Sequence, residues 1–324
     1  MPDQATKHRS SPRPAPKDTR VVGTSLTVSI SDVLINSIVA FFTGSTVMLS
    51  QALQGLSDVT TTTLLYRGVK ASKRKADSQH HFGYGRELFF WVIIAGLFMF
   101  FGTGMLSVYF GAQQIIQPTE LLNIHVAIVV LIISLAANGY AFSLSLRRLY
   151  RHHIGSDTHW VKTLLRSSLI ETKSTFLVDA LGTTAAVAGI VSLGLFIITG
   201  DPRFDGVGAL IIGLLMMTGA LFIIADVRGL IIGRAVSKST AAVIKQAACS
   251  VKSVQAVLDL RTTYIGSGQL LIIIEVHLDD HLDTDTIEQR SDAVKAAIQA
   301  KIPEAKLIQV EIETPDEELL HNQQ

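Results

Sequence analysis

Three aspartates, Asp32, Asp58 and Asp179, lie inside segments that are otherwise apolar. An ionisable side chain in the interior of a bilayer is energetically costly, so its presence there indicates a function. Gln54 precedes Asp58 by four residues and Thr175 precedes Asp179 by four, a spacing that puts each pair on one helix face. Two such pairs facing each other would offer four oxygen ligands and the charge of two carboxylates. One divalent cation, or protons, could neutralise that charge.

The composition indicates that a membrane surrounds these residues. Of the 324 residues, 48% are hydrophobic and 17% are charged, against about 25% charged in an ordinary soluble domain. This excludes a disordered or collagen-like chain, and a net charge of +1 gives no basic field that would attract nucleic acid. A single cysteine excludes a disulfide framework and a zinc site built from several thiolates.

Six segments have the length and character of bilayer spans, which need about 20 mostly apolar residues. They are residues 22–42, 47–66, 88–119, 121–146, 177–200 and 204–225. Lys and Arg concentrate in the N-terminal tail and in the loops after the second and fourth spans, which places both termini in the cytoplasm. The sequence therefore predicts a six-helix, all-α transmembrane domain over residues 21–234, preceded by a disordered basic tail over residues 1–20. Glu171 and Lys173, near the cytoplasmic start of the fifth span, are expected to reach toward the membrane interface.

Beyond residue 234 the composition becomes that of a small soluble α+β domain, residues 235–315. Its predicted elements, in the order helix, strand, strand, helix, strand, are residues 239–251, 256–264, 269–278, 284–301 and 307–313. Gly266-Ser267-Gly268 marks a hairpin between the first two strands, and Asp283 or Thr284 is expected to cap the second helix. The αββαβ order is typical of a ferredoxin-like sandwich. Residues 316–324 form a polar tail.

Several motifs resemble those of the cation diffusion facilitators. Residues 43–65 resemble the second-helix signature of that family, and residues 80–87 (HHFGYGRE) are similar to its HPFGYGRE segment. Residues 228–233 resemble the end of its sixth helix, and residues 258–262 resemble the LDLRT strand of one branch. The resemblance covers residues 24–315. It implies a homodimeric divalent-cation/proton antiporter whose C-terminal domains dimerise in the cytoplasm.

The resemblance implies that Asp58 and Asp179 are the transport-site aspartates. Gln54 and Thr175 then stand where the family usually has His or Asp, and Val178 stands where this branch commonly has Glu. Without imidazole nitrogen, which zinc prefers, an all-oxygen site suits Mn²⁺, Mg²⁺ or Fe²⁺ better. Zinc stays open because it binds most divalent sites more tightly than manganese does. The substitutions also leave open a degenerate, non-transporting or regulatory member of the same fold.

Two further features come with the resemblance. Asp77 and His80 lie three residues apart in the second loop, near the place where some relatives bind a second metal. Arg86 follows at the cytoplasmic mouth, where relatives pair a cation with an acid near the dimer seam. Asp226 is the candidate partner of Arg86, in a dimer or gate ion pair.

Two function classes other than a transporter are therefore weighed. One is the non-transporting relative. The other is an intramembrane aspartyl protease, which is disfavoured because neither Asp58 nor Asp179 lies in a Gly-x-Gly-Asp context. The expected partners are a transported divalent cation, protons, the lipid bilayer and a second copy of the chain, with no tightly bound cofactor and no nucleic acid. The compact loops suit a bacterial inner membrane.

Overall fold

The computed structural model describes residues 18–153 and 170–314. Its N-terminal part consists of long helices: α1 (Asp18–Thr43), α2 (Thr46–Ser72), α3 (Glu87–Ile116), α4 (Ile124–His153), α5 (Ile170–Thr199) and α6 (Arg203–Ile232). By length and composition, four candidate spans lie in the described residues, within α3, α4, α5 and α6. The chain is thus a multi-pass integral membrane protein. A count of six spans stays a prediction because α1 and α2 are more polar.

The predicted tails fall largely outside the described residues. These are residues 1–17 of the basic tail and residues 316–324 of the polar tail. The helix α1 begins at Asp18, so it already includes the last residues of the predicted N-terminal tail.

Helix α3 is continuous but contains a π-helical segment, Met99–Met105. Within that segment, Thr103 donates its hydroxyl to the Leu53 carbonyl of α2 at 2.9 Å. Glycines let α3 approach α6 closely. A Cβ on Gly111 would lie 2.7 Å from the Gly206 carbonyl oxygen. Such small-residue contacts are a common way for membrane helices to pack, and here they make α3 and α6 a tight pair beside α2.

The other four long helices enclose the predicted site. Helices α1 and α2 pack together, as do α4 and α5, and further contacts join α1 to α4 and α2 to α5. Large apolar side chains on the outside of this group are exposed, as Phe41 (83%) and Ile198 (81%) show. An apolar outer surface of this kind suits contact with lipid.

The C-terminal part consists of α7 (Lys238–Cys249), β1 (Val254–Gly266), β2 (Gln269–Leu278), α8 (Thr284–Lys301) and β3 (Ala305–Ile312). The sheet order is β1-β2-β3, with β1 antiparallel and β3 parallel to β2. The structure confirms the predicted αββαβ order, the bounds of β2 and α8, and Asp283 as the cap of α8. Both β1 and β3 begin two residues earlier than predicted. The ferredoxin-like assignment stays a prediction.

The tip of the β1–β2 hairpin touches the loop between α2 and α3. A Cβ on Gly85 would clash with the Ile265 carbonyl oxygen and would lie 3.0 Å from Gly266 Cα. Nearby, the Val236 N–H donates to Thr262 Oγ1 at 3.1 Å. These contacts join the C-terminal part to the membrane helices.

Candidate metal centre

Helix α2 carries Gln54 and Asp58 one helical turn apart. Gln54 is buried and its side chain interacts with the Asp58 carboxylate. Its Oε1 atom has no hydrogen-bond partner among the residues that the structure describes. Asp58 is half-buried and lies near enough to Asp179 and Asp32 to be repelled by their charges. Carboxyl groups from α1 and α5 therefore lie near Asp58 of α2 inside the bundle.

Helix α5 brings Asp179 to this region, with Thr175 one turn before it and half-buried. The Ser145 hydroxyl of α4 donates to Asp179 Oδ2. One turn beyond Asp179, Gly182 lets α5 approach α2, because a Cβ there would lie 2.7 Å from Gln54 Nε2. The structure thus places Gln54 against the face of α5 next to Asp179.

The donor set available here is oxygen-rich. In residues 18–153 and 170–314, no group of three or more His, Cys, Asp and Glu side chains is arranged to hold a metal ion. A cation between α2 and α5 would therefore need neutral oxygens as well as carboxylates. The unpartnered Gln54 Oε1 is such an oxygen, and carboxylate and amide oxygens suit hard divalent ions.

Asp77 and His80 are neighbours, with His80 Nδ1 3.6 Å from Asp77 Oδ1. Asp77 already accepts hydrogen bonds from the Gln79 N–H (3.0 Å), the His80 N–H (2.9 Å) and the Tyr84 hydroxyl (2.8 Å). These donors, Tyr84 first, hold the pKa of the Asp77 carboxyl below its ordinary value. These hydrogen bonds use the Asp77 carboxylate to stabilise the loop. A second metal bound by Asp77 and His80 stays a prediction.

Asp226 is not paired with Arg86 within one chain. Its carboxylate binds Lys173 Nζ at 2.6 Å and an Arg234 guanidinium nitrogen at 2.8 Å. Lys173 is only 2% exposed, so the expectation that it reaches toward the interface is wrong: a buried counter-charge on α6 holds it inside. The Glu171 side chain lies outside the described part of the chain. A pairing of Arg86 with Asp226 across a dimer stays a prediction.

Sequence reasoning missed Asp205, a fully buried residue of α6. Its carboxylate accepts from the Ser45 hydroxyl (2.5 Å), the Thr46 N–H (2.6 Å) and hydroxyl (2.7 Å), and the Val47 N–H (3.2 Å). Asp205 thereby caps α2, the helix that presents Gln54 and Asp58. The sequence signal was Ser45, which is a preferred N-cap type. No local pattern reveals a partner 160 residues away.

Comparison with known families identifies both parts of the chain. Residues 24–232 match the cation efflux transmembrane domain, and residues 236–313 match the cytoplasmic domain of cation efflux proteins. Among solved structures, a nickel form of the MamM CTD aligns with 25% of this chain and all of its own. That alignment has 24% identity and a TM-score of 0.23.

Three curated relatives show the range of matches. The mouse "Proton-coupled zinc antiporter SLC30A9, mitochondrial" is 28% identical over 255 residues, 78% of this chain and 44% of the relative. "Metal tolerance protein C4" of Arabidopsis thaliana is 24% identical over 74% of this chain and 52% of its own. "Magnetosome protein MamB" of Magnetospira is 25% identical, covering 85% of this chain and 86% of its own. This chain thus spans less than half the length of the mouse relative.

The two family matches together cover most of the described helices and strands. The matched family is one of cation transporters and not of enzymes, so the intramembrane protease alternative is rejected. The chain belongs to the cation efflux family, the cation diffusion facilitators.

Proposed function

We propose that this protein exports divalent metal cations of the zinc, iron or manganese class from the cytoplasm in exchange for protons. The observation that carries the proposal is the close approach of α2 and α5 where they carry Asp58 and Asp179, since a Cβ on Gly182 would lie 2.7 Å from Gln54 Nε2. Two carboxylates near each other in a poorly solvated space repel, and a divalent cation or protons relieve that repulsion. A pair that alternates between a cation-bound state and a protonated state would carry out antiport of the cation and protons.

The side chains around the pair would complete a cation's ligand set. Gln54 Oε1 is buried without a hydrogen-bond partner in the described residues, so this oxygen can bind an ion without giving up a hydrogen bond of its own. Thr175 supplies a hydroxyl on the same face of α5 as Asp179. Four oxygen donors suit manganese or iron. Zinc, the metal in the printed name of the mouse relative, a proton-coupled zinc antiporter, also binds mixed oxygen sites.

The topology that goes with this function has six spans, with both termini in the cytoplasm of a bacterium. Its support is the charge distribution of the loops and the match of residues 236–313 to a cytoplasmic domain. The protein would act as a homodimer through that domain. Alternating access would expose Asp58 and Asp179 first to one side of the membrane and then to the other.

The test is metal flux into proteoliposomes loaded with a metal-sensitive dye, driven by a pH gradient. Asp58→Asn and Asp179→Asn should each lower flux by about 100-fold or more, since an uncompensated charge in a low-dielectric site costs several kcal/mol. Both variants should keep the parent's dimeric elution. Asp201→Asn is the matched control, because Asp201 lies in the loop before α6, where its carboxylate accepts from the Arg203 N–H.

Two outcomes would contradict the proposal at different points. Undiminished flux in Asp58→Asn or Asp179→Asn would remove that residue from the site. No flux of Zn²⁺, Mn²⁺ or Fe²⁺ by the parent protein would favour the other candidate, a non-transporting member of the family. Gln54 and Thr175, which stand in place of His or Asp, are the reason for that candidate.

A further inference from the structure

Helix α4 supplies no carboxylate to the bundle, yet one of its faces is polar at Ser134, Asn138 and Ser145. Spacings of four and seven residues put all three on the same side of a helix. Ser145 donates to Asp179, and Ser134 donates to Asp32 Oδ1 at 2.9 Å. Asn138 Oδ1 lies between them, 3.4 Å from the position of a Cβ on Gly182, the point that Gln54 also approaches. This face of α4 therefore runs from Asp32, past Gln54, to Asp179.

Asp32 stands at the end of that face farther from the C-terminal domain. Ser134 and Ser145 are eleven residues apart, which is about 16 Å along a helix. Gly55 lets α1 press against α2, because a Cβ there would lie 2.8 Å from a Val33 methyl and 3.6 Å from Asp32 Oδ2. Asp32 is thereby held beside the segment of α2 that carries Asp58. The two carboxylates have like charges and repel each other.

A fully buried amide lies next to Asp32. Asn36 is fully buried, one turn along α1, and near enough to act on the Asp32 carboxylate. Neither atom of its amide meets hydrogen-bond geometry with any described residue. A buried amide without hydrogen-bond geometry is energetically costly, so it calls for a partner such as an ion or its water.

We propose that Asp32, Ser134 and Asn36 form a second station for the transported divalent cation, beyond Asp58 and Asp179 on the side away from the C-terminal domain. This inference rests on the proposed function. A carboxylate, a hydroxyl and an amide oxygen offer a hard cation three protein ligands and leave room for its remaining waters. The polar face of α4 joins this outer station to the inner pair.

The first experiment measures flux in proteoliposomes of the full-length protein. Asp32→Asn and Ser134→Ala should raise the KM for Mn²⁺ by about tenfold and about threefold, the first equal to about 1.4 kcal/mol. Asp32→Glu, which keeps the charge, should restore most of the flux. The matched control is Ser143→Ala on the same helix, whose exposed hydroxyl bonds only the Gly139 carbonyl.

The second experiment separates the station from the inner pair by Mn²⁺ titration calorimetry. The Asp58→Asn, Asp179→Asn double variant should still bind one Mn²⁺ weakly, and adding Asp32→Asn should abolish that binding. Residual binding unchanged by Asp32→Asn, or an unchanged KM in Ser134→Ala, would overturn the inference. Absence of flux in the parent would instead overturn the proposed function, and the calorimetry would still decide the role of Asp32. If Asp32→Asn does not fold, Ser134→Ala decides the question.

Discussion

The protein buries aspartates in two regions, and the partners of the carboxylate differ between them. Asp205, where α6 meets the first turn of α2, accepts hydrogen bonds from two hydroxyls and two backbone N–H groups. Midway through the bundle, Asp32 accepts the Ser134 hydroxyl and Asp179 accepts the Ser145 hydroxyl, and Asp58 has carboxylates for neighbours. The first region surrounds one carboxylate with four donors, whereas the second region brings carboxylates from different helices near Asp58.

This difference separates a structural role from an exchange role. Four donors and the positive end of a helix dipole hold the charge of Asp205 in place. Asp58 has like charges nearby, and repulsion of this kind favours the binding of a cation or a proton. A carboxylate that binds and releases a cargo ion has to be left without permanent partners of this kind.

The largest expected effect is at Asp205. Asp205→Asn would turn an amide N–H toward donors and leave several buried groups unsatisfied, each at a cost of about 1–3 kcal/mol. We expect little folded protein, as measured by fluorescence-detected size exclusion with a thermal ramp. Asp58→Asn is the counterpart and should unfold close to the parent temperature while losing transport. Equal stability of the two variants would remove the distinction between the regions.

The next effect concerns the buried pair of Lys173 and Asp226. Asp226→Asn leaves the buried Lys173 ammonium without its counter-charge, which costs about 3–5 kcal/mol. Lys173→Met should cost less, because Asp226 keeps Arg234. The ranking can be measured by thermal unfolding in detergent. If Lys173→Met proved the more destabilising change, Lys173 would contribute packing rather than charge.

A smaller effect tests the ligand chemistry at Gln54 and Thr175. Gln54→His together with Thr175→His would replace two oxygen donors by imidazole nitrogens, which zinc prefers. We expect the preference for zinc over manganese to rise by about tenfold, or about 1.4 kcal/mol. The double variant should also add a proton-linked step near pH 6 to 7, since free imidazole has a pKa of about 6.5. Calorimetry in buffers of different ionisation enthalpy measures both quantities. Unchanged binding and proton release would show that these positions do not line the site.

The smallest effect is at Asp283, which caps α8 in water as Asp205 caps α2 inside the protein. Hydrogen bonds from Thr286 hold the pKa of Asp283 below its ordinary value. A carboxyl with a depressed folded-state pKa contributes stability above its unfolded pKa and loses that stability as the pH falls through the folded pKa. We expect residues 236–316, produced as a soluble dimer, to unfold more easily from about pH 5 to pH 3. Asp283→Asn should weaken that pH dependence, as followed by circular dichroism, and an identical pH profile would contradict the cap's role.

Local signals in the sequence predicted most of the C-terminal elements. Glycine at the hairpin, the alternation in residues 269–278 and the cap at Asp283 each act within a few residues, and the structure has β2 and α8 at the predicted bounds. Composition likewise located α3 and α6. Asp205 and Lys173 could not be assigned because their partners come from other helices, 160 and 53 residues away. Composition did not reveal the π-helical segment of α3 either, in which Thr103 bonds across to α2.

The contact at Gly85 has a mechanical consequence. Because the Ile265 carbonyl fills the place of a side chain there, the hairpin and the α2–α3 loop meet with no clearance. If α2 or α3 tilts so that this loop moves toward the hairpin, the C-terminal domain must move with it. A single methyl group at Gly85, which lies outside the bundle, would force the hairpin and the loop apart.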